Sequence, residues 1–145
     1  MKRIVIDASI VLKWYLIDES NSKAALEILE RLVFQELCIL APNLLEYEVL
    51  NGLQIAGKRG RIPQRMRLLA AEAFLGLGIE LRDISSNYEK VLHFSKVYDL
   101  TVYDSSYLEV ASTEGIDLIT ADEKLYNKVN NDLKWVKWLG GFQQS

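Results

Sequence analysis

The sequence IVIDASIVLKWYL, residues 4–16, places an aspartate directly after an apolar run. The run Lys2–Ile6 is short and rich in β-branched residues, which predicts a buried strand. From Ser9 to Ile17 the apolar residues follow helical spacing and predict a short helix. Asp7 therefore stands at the turn between a strand and a helix, where an unpaired buried charge would be costly.

The same alternation of strand and helix patterns continues along the chain. Further strands are predicted at Leu37–Ala41, Ile79–Ile84, Asp117–Thr120 and Leu133–Leu139. Helices are predicted from Asn21 or Ser22 to about Phe34, from Asn43 to Ala56, from Pro63 to about Leu77 before Gly78, from Ser85 or Ser86 through Phe94, from near Tyr103 to Gly115, and after Asp122. This order predicts an α/β fold with a central parallel sheet of about five strands and helices on both faces. No repeat or change in composition divides residues 1–145, so we expect a single domain.

Composition excludes several classes of protein. Half of the 145 residues are hydrophobic and 26% are charged, which is typical of a globular domain. The one cysteine, Cys38, cannot form an internal disulfide, so nothing indicates an oxidising compartment. No uncharged stretch approaches the roughly 18 residues of a membrane helix, and charged residues interrupt the N-terminal apolar run where a signal peptide would be continuous. We therefore expect a cytoplasmic protein that does not enter the membrane.

Positive charge is concentrated in one segment of an otherwise acidic chain. The net charge of −3 argues against a purely electrostatic nucleic-acid binder. No acid occurs between Glu48 and Glu72, and this interval contains Lys58, Arg59, Arg61, Arg65 and Arg67. On charge alone, the solvated tip of a helical hairpin explains the segment. Contact with a polyanion is the alternative if an acidic site elsewhere takes such a substrate.

Four acids are predicted near the carboxyl ends of the strands, where parallel sheets bind ligands. They are Asp7, Glu48 (with Glu46 as a competing candidate on the same helix), Asp104 and Asp122. Each has an ordinary structural explanation, such as a helix cap or a solvated helix face. Together, however, four carboxylates at one edge would repel each other, and a hard cation would relieve the repulsion. Because no histidine or cysteine is near them, we predict an all-oxygen site for Mg²⁺ or Mn²⁺ and not for zinc.

Three stretches of the chain resemble PIN-domain proteins: VIDASIVLKWYL, PNLLEYEVLNGL and TVYDSSYLEVASTEGIDLITADEKL. The similarity is greatest to the VapC-type toxins of bacterial and archaeal toxin–antitoxin pairs, and it extends from Val5 to about Val136. It implies a single PIN-like domain with four metal-binding catalytic acids and two hydroxyls beside the metal. The implied acids are Asp7, Glu48 (and not Glu46), Asp104 and Asp122, and the hydroxyls belong to Ser9 and Thr120.

The resemblance also implies an activity and partners. It implies an endoribonuclease, dependent on Mg²⁺ or Mn²⁺, that hydrolyses RNA phosphodiesters and is kept silent by a cognate antitoxin. A homodimer is expected as well. Candidates for RNA contact are Lys58, Arg59, Arg61 and Arg65, although dimer packing or antitoxin contact would suit the same segment.

Other functions stay open on the sequence. One is a PIN domain that binds RNA or a protein partner without cutting. A phosphoaspartate receiver is disfavoured because no adjacent acidic pair follows the first strand. A haloacid-dehalogenase-type phosphatase is disfavoured because Ala8 and Ser9 follow Asp7 where that family needs a second aspartate two residues on. The chain also contains neither a dinucleotide-binding glycine fingerprint nor a P-loop.

Overall fold

The computed structural model of the protein describes residues 1–16, 18 and 20–141. Its centre is an all-parallel sheet formed by β1 (Lys2–Ile6), β2 (Leu37–Pro42), β3 (Glu80–Arg82), β4 (Asp117–Thr120) and β5 (Val136–Trp138). The strand order is β3-β2-β1-β4-β5, so β1 is the middle strand. The described chain is therefore a single α/β domain with a five-stranded parallel sheet, as the sequence predicts.

Helices cover both faces of this sheet. The described residues contain α1 (Ala8–Tyr15), α2 (Ser22–Val33), α3 (Leu44–Lys58), α4 (Gln64–Leu75), α5 (Tyr88–Tyr98), α6 (Val102–Glu114), α7 (Glu123–Val129) and a short 3₁₀ helix at Leu139–Gly141. Ile4, Val5 and Ile6 in β1 have no exposed surface. Because successive strand residues point to opposite faces, both faces of β1 are buried. In the part of the chain described, no helix is long and apolar enough to cross a membrane.

The two edge strands are shorter than the sequence predicts. The predicted strands Ile79–Ile84 and Leu133–Leu139 contain strand geometry only at Glu80–Arg82 and Val136–Trp138. Each edge strand pairs with one neighbour, and β3 pairs only with Leu40–Pro42 of β2. The apolar pattern of the sequence does not show how short these strands are, because the apolar residues that flank them still pack against the core.

Two helices end earlier than the sequence predicts. Helix α4 ends at Leu75 and is capped by Gly76, whereas the prediction extended it to the residue before Gly78. Gly78 adopts a positive φ of 77° in the following turn, so this glycine marks the turn two residues beyond the helix cap. Helix α1 ends at Tyr15. The predicted last residue of that helix, Ile17, lies outside the described residues.

The start of α5 also differs from the prediction. Asn87 precedes this helix, and not Ser85 or Ser86. The backbone N–H of Ser85 instead donates to the Asp83 carboxylate over 2.8 Å, which forms a separate turn before the helix. Serine therefore marks the turn at this position and not the helix cap.

Strand pairing places the ends of β1 and β4 side by side. Residues 4–6 of β1 pair with residues 117–119 of β4, so Asp7 and Thr120 follow at the same edge of the sheet. Strand β2 ends at this edge as well. Helices α1, α3 and α7 begin directly after β1, β2 and β4. We call this edge, where the strands end and these helices begin, the carboxyl rim.

Helix α6 depends on a side-chain cap at its first turn. The hydroxyl oxygen of Thr101 accepts the backbone N–H of Asp104 over 3.1 Å. We predict that Thr101→Ala lowers the free energy of unfolding by about 1 kcal/mol, because that N–H loses its partner. Thr101→Ser keeps the hydroxyl and should retain most of the stability. Urea unfolding of both variants measures the difference, and equal losses in the two would contradict the capping role.

Candidate active site

Asp7 lies at the end of the middle strand and is almost completely buried, with 6% of its surface exposed. It also caps α1, since its Oδ1 accepts the backbone N–H of Ser9 over 3.1 Å. The Ser9 hydroxyl donates to the same oxygen. The other oxygen, Oδ2, accepts the hydroxyl of Thr120 over 2.5 Å. Hydroxyl and amide groups therefore hold both carboxylate oxygens in place.

Ser9 and Thr120 connect Asp7 to the turn that follows β4. The Ser9 hydroxyl oxygen accepts the backbone N–H of Ala121 over 2.9 Å. The Thr120 hydroxyl oxygen accepts the backbone N–H of Asp122 over 3.0 Å. Each hydroxyl thus donates to Asp7 and accepts from the turn, so the position of Asp7 is coupled to the position of Asp122.

The environment of Asp7 is unfavourable for a negative charge. Its pKa is raised to about 6, chiefly because burial removes the carboxylate from water. The negative charges of Asp122 and Asp104 raise this pKa too, while the hydrogen bonds from Ser9 and Thr120 lower it. The pKa remains high because these hydrogen bonds only partly offset the burial.

Glu48 is held by a tyrosine of another helix. The Tyr107 hydroxyl in α6 donates to Glu48 Oε1 in α3 over 2.5 Å. Burial raises the pKa of Glu48, the Tyr107 hydrogen bond lowers it, and the charges of Asp104 and Asp122 raise it. Burial and the Glu48 charge also raise the pKa of Tyr107, so its hydroxyl stays protonated and able to donate. The Tyr107 hydroxyl therefore holds Glu48 where the charges of Asp104 and Asp122 act on it.

Tyr107 is a site residue that the sequence reasoning missed. The apolar pattern assigns it to the buried face of α6, and it is indeed only 1% exposed. It follows Asp104 by three residues, so the two side chains lie on adjacent parts of one helix face. That spacing was the available signal that Tyr107 belongs to the same site.

Asp104 and Asp122 complete the group. Asp104 lies in the first turn of α6 and is half-buried. Burial and the charge of Asp122 raise the pKa of Asp104, and the charge of Lys128 lowers it. Asp122 caps α7 by accepting the backbone N–H of Leu125 over 3.2 Å. A capping role and a place in the acidic group therefore coincide at Asp122, as they do at Asp7.

The four acids predicted from the sequence are thus brought to one rim, where they influence each other's charge. Among the described residues, none of them forms an ion pair with a lysine or arginine. Oxygen donors of this kind suit a hard divalent cation. In the same part of the chain, however, no three acids, histidines or cysteines are arranged so that they could hold a metal ion as they stand. The donor chemistry fits such a cation, and the spacing is wider than a formed coordination shell.

Comparison with known proteins identifies the family. The model of the PIN domain matches residues 4–130. The chain belongs to the PIN-domain family. A solved structure with the same fold is the crystal structure of PAE2754 from Pyrobaculum aerophilum, at a TM-score of 0.69 and 23% identity over 96% of this chain and 85% of that one. No curated protein matches the chain. PIN domains are typically nucleases.

The basic segment of this PIN domain lies away from the acids. Glu48 and Lys58 are ten residues apart on α3, which separates them by about 15 Å along the helix axis. Beyond the helix, Arg61 forms two hydrogen bonds to Asp18, Nη2 to Oδ1 over 2.7 Å and Nε to Oδ2 over 3.0 Å. Asp18 follows α1, so these contacts tie the segment to the end of α1 that is distant from the rim.

The raised pKa of Asp7 predicts a pH-dependent stability in the metal-free PIN domain. The folded protein holds the Asp7 proton up to about pH 6, whereas the unfolded chain loses it near 3.8. The free energy of unfolding therefore decreases as the pH rises through this interval, by roughly 3 kcal/mol from this group. Asp7→Asn should lack this decrease, so its stability relative to the wild type should increase from about pH 4 to about pH 7.

Urea unfolding in EDTA across this pH range measures the effect, with Glu27→Gln on the exposed face of α2 as a control that should follow the wild type. A large loss of stability in Asp7→Asn at pH 7 would contradict the prediction. That result would mark Asp7 as a structural cap whose charge the fold needs.

The hydrogen bond between Tyr107 and Glu48 gives a second prediction. Tyr107→Phe keeps the buried ring but removes the only donor described for the Glu48 carboxylate. We expect the free energy of unfolding to fall by about 1–2 kcal/mol near pH 7, and by less at acidic pH where Glu48 is neutral. A double-mutant cycle with Glu48→Gln isolates the interaction, with Tyr88→Phe at the surface as control. Additive effects in the cycle would contradict the contact.

Proposed function

We propose that this PIN domain is an endoribonuclease dependent on Mg²⁺ or Mn²⁺, and that it is the toxin of a VapBC-like toxin–antitoxin pair. The observation that supports this most is the group of four coupled carboxylates at the carboxyl rim. Burial and mutual repulsion raise the pKa of three of them, and no described lysine or arginine pairs with any. A divalent cation would offset the repulsion and draw the carboxylates closer.

In this proposal Asp7, Glu48, Asp104 and Asp122 hold the cation. When bound, such an ion supplies a Lewis acid for the phosphate and lowers the pKa of a water for attack. The chain contributes the positions of the ligands. Ser9 and Thr120 fix both oxygens of Asp7, and the Tyr107 hydroxyl fixes Glu48. Buried donors that are oriented in advance keep the carboxylates directed at one place when the substrate phosphate arrives.

RNA contact by the basic segment is proposed for the part of the substrate that extends away from the rim. The proposed contacts are Lys58, Arg59, Arg61 and Arg65. Because Lys58 is at the end of α3 distant from Glu48 and the three arginines follow it in the chain, these residues would bind backbone phosphates several nucleotides from the cut. Their contribution would depend on salt, as phosphate contacts do.

The antitoxin is proposed to cover an apolar groove between α1 and α4. This groove has a volume of about 490 Å³ and is lined by Tyr15, Ile62, Met66 and Leu69 among others. Met66 and Leu69 are 44% and 54% exposed, which is high for side chains of this size. A homodimer and a cytoplasmic location belong to the same proposal.

Replacing Glu48 tests the activity against a matched neighbour. We expect Glu48→Gln to lower Mn²⁺-dependent cleavage of single-stranded RNA at least about 100-fold, since it replaces one of the four proposed carboxylate ligands by a neutral amide. Glu46→Gln, two residues away on the same helix, should cleave like the wild type. Cleavage is followed on labelled RNAs with Mn²⁺ and with EDTA. A wild type that cuts no RNA in Mn²⁺, or cutting that Glu48→Gln retains, would refute the proposal.

A PIN domain that binds RNA or a protein without cutting is the second candidate. It is favoured by one observation, that no three acids among the described residues are arranged as a formed metal site. Titration of Mn²⁺ into the wild type and Asp104→Asn separates the two candidates. Binding of Mn²⁺ that depends on Asp104, together with no cleavage of any RNA, would favour the second.

A further inference from the structure

The carboxyl rim also contains a cavity of about 200 Å³. It lies between the ends of β2 and β3 and the first turns of α3 and α6, and its wall is mostly apolar. A cavity of this size is too small for an extended ligand and is sufficient for one planar ring system. Its occupant is therefore a single small group.

Helix geometry places this cavity about one helical turn from Glu48 and its partner Tyr107. Leu44 lines the cavity and precedes Glu48 by four residues on α3, and Tyr103 lines it and precedes Tyr107 by four on α6. Side chains four residues apart are neighbours on one helix face, about 5.4 Å apart along the axis. The Glu48–Tyr107 contact lies in the second turn of each helix. Leu44 and Tyr103 lie in the first turns, where they line the cavity. A group in the cavity would thus be directly adjacent to a phosphate at the acids.

The charges of the cavity wall disfavour a phosphate inside it. The wall contains one cation, Arg82, and its guanidinium is already bound by Glu114 over 3.3 Å and Glu80 over 3.1 Å. The nearby acid Asp83 would repel an anion. An uncharged planar group therefore suits the cavity better than a second phosphate.

Three side chains supply the contacts that a nucleobase uses. The Tyr103 ring is 60% exposed and available for stacking. Asn43 is exposed and its amide makes no capping hydrogen bond to α3, so it can donate and accept. Asp83 accepts the Ser85 N–H at Oδ1, which leaves Oδ2 for another donor. Carboxylate acceptors recognise the exocyclic amino groups of bases.

We propose that this cavity binds one nucleobase of the RNA, next to the phosphodiester held at the acids. Tyr103 stacks on the base, and Asn43 and Asp83 read its edge. The carboxylate of Asp83 favours a base that carries an exocyclic amino group over uracil. The proposal rests on the proposed ribonuclease function, and it names the residues that give that activity a base preference.

The test uses binding to a protein that does not cut. Fluorescent octaadenylate, octacytidylate and octauridylate are titrated with the Glu48→Gln protein in Mg²⁺, and binding is followed by anisotropy. We expect the adenylate and cytidylate oligomers to bind more tightly than the uridylate. Adding Tyr103→Ala should weaken binding about tenfold through loss of stacking, and adding Asp83→Asn should remove the preference over uridylate. Phe34→Ala, an exposed aromatic next to the opposite end of β2, should change neither.

A second readout separates this proposal from the function on which it rests. Wild-type cut sites on a mixed-sequence single-stranded RNA should show a preferred base beside the cut, and Tyr103→Ala should lose it. If the wild type cuts no RNA, the ribonuclease function fails, while the binding assay still decides the cavity. Oligomer binding that Tyr103→Ala leaves unchanged would overturn the nucleobase site. A changed sedimentation mass in Tyr103→Ala with unchanged RNA binding would also overturn it, in favour of a protein contact.

Discussion

The carboxylate of Asp7 is buried at the end of the middle strand with hydroxyl and amide groups as its partners, and the rest of the rim is organised around it. The hydroxyls of Ser9 and Thr120 hold its two oxygens and also bind the turn that carries Asp122. Hydrogen bonds of this kind orient a charge but only partly replace its hydration. The negative charge of the site is therefore only partly stabilised, and a bound cation would compensate the remainder.

The parallel topology of the sheet brings several such negative charges together. Strands β1, β2 and β4 end at one edge, and the helices that begin there bring Glu48, Asp104 and Asp122 toward Asp7 from separate parts of the chain. The helix pair α3 and α6 then divides the rim into two adjacent regions. In the second turns of these helices Tyr107 donates to Glu48, and their first turns border a small apolar cavity. The phosphodiester and the recognised base would thus bind about one helical turn apart.

Much of the fold is encoded locally, and the site only in part. The apolar runs of β1 and β4 predict these two strands, which lie at the centre of the sheet, and Gly115 correctly predicts the end of α6, where it adopts a positive φ of 67°. Parallel topology predicts the place of Asp7 and Asp122 after β1 and β4, whereas the choice of Glu48 over Glu46 comes from the family resemblance. Tyr107 could not be assigned to Glu48 in this way, since the two are 59 residues apart and a buried tyrosine looks like core. The edge strands and the distant position of the basic segment likewise depend on tertiary pairing, which a local pattern does not contain.

The central claim is that the four carboxylates form one site for a divalent cation. Anomalous diffraction from crystals soaked in Mn²⁺ tests it most directly, because the ion's position is then observed without reference to activity. We expect a single strong peak at the carboxyl rim, within coordination distance of oxygens from Asp7 and at least one of Glu48, Asp104 and Asp122. A rim without an ion at saturating Mn²⁺, or ions bound only elsewhere on the surface, would contradict it.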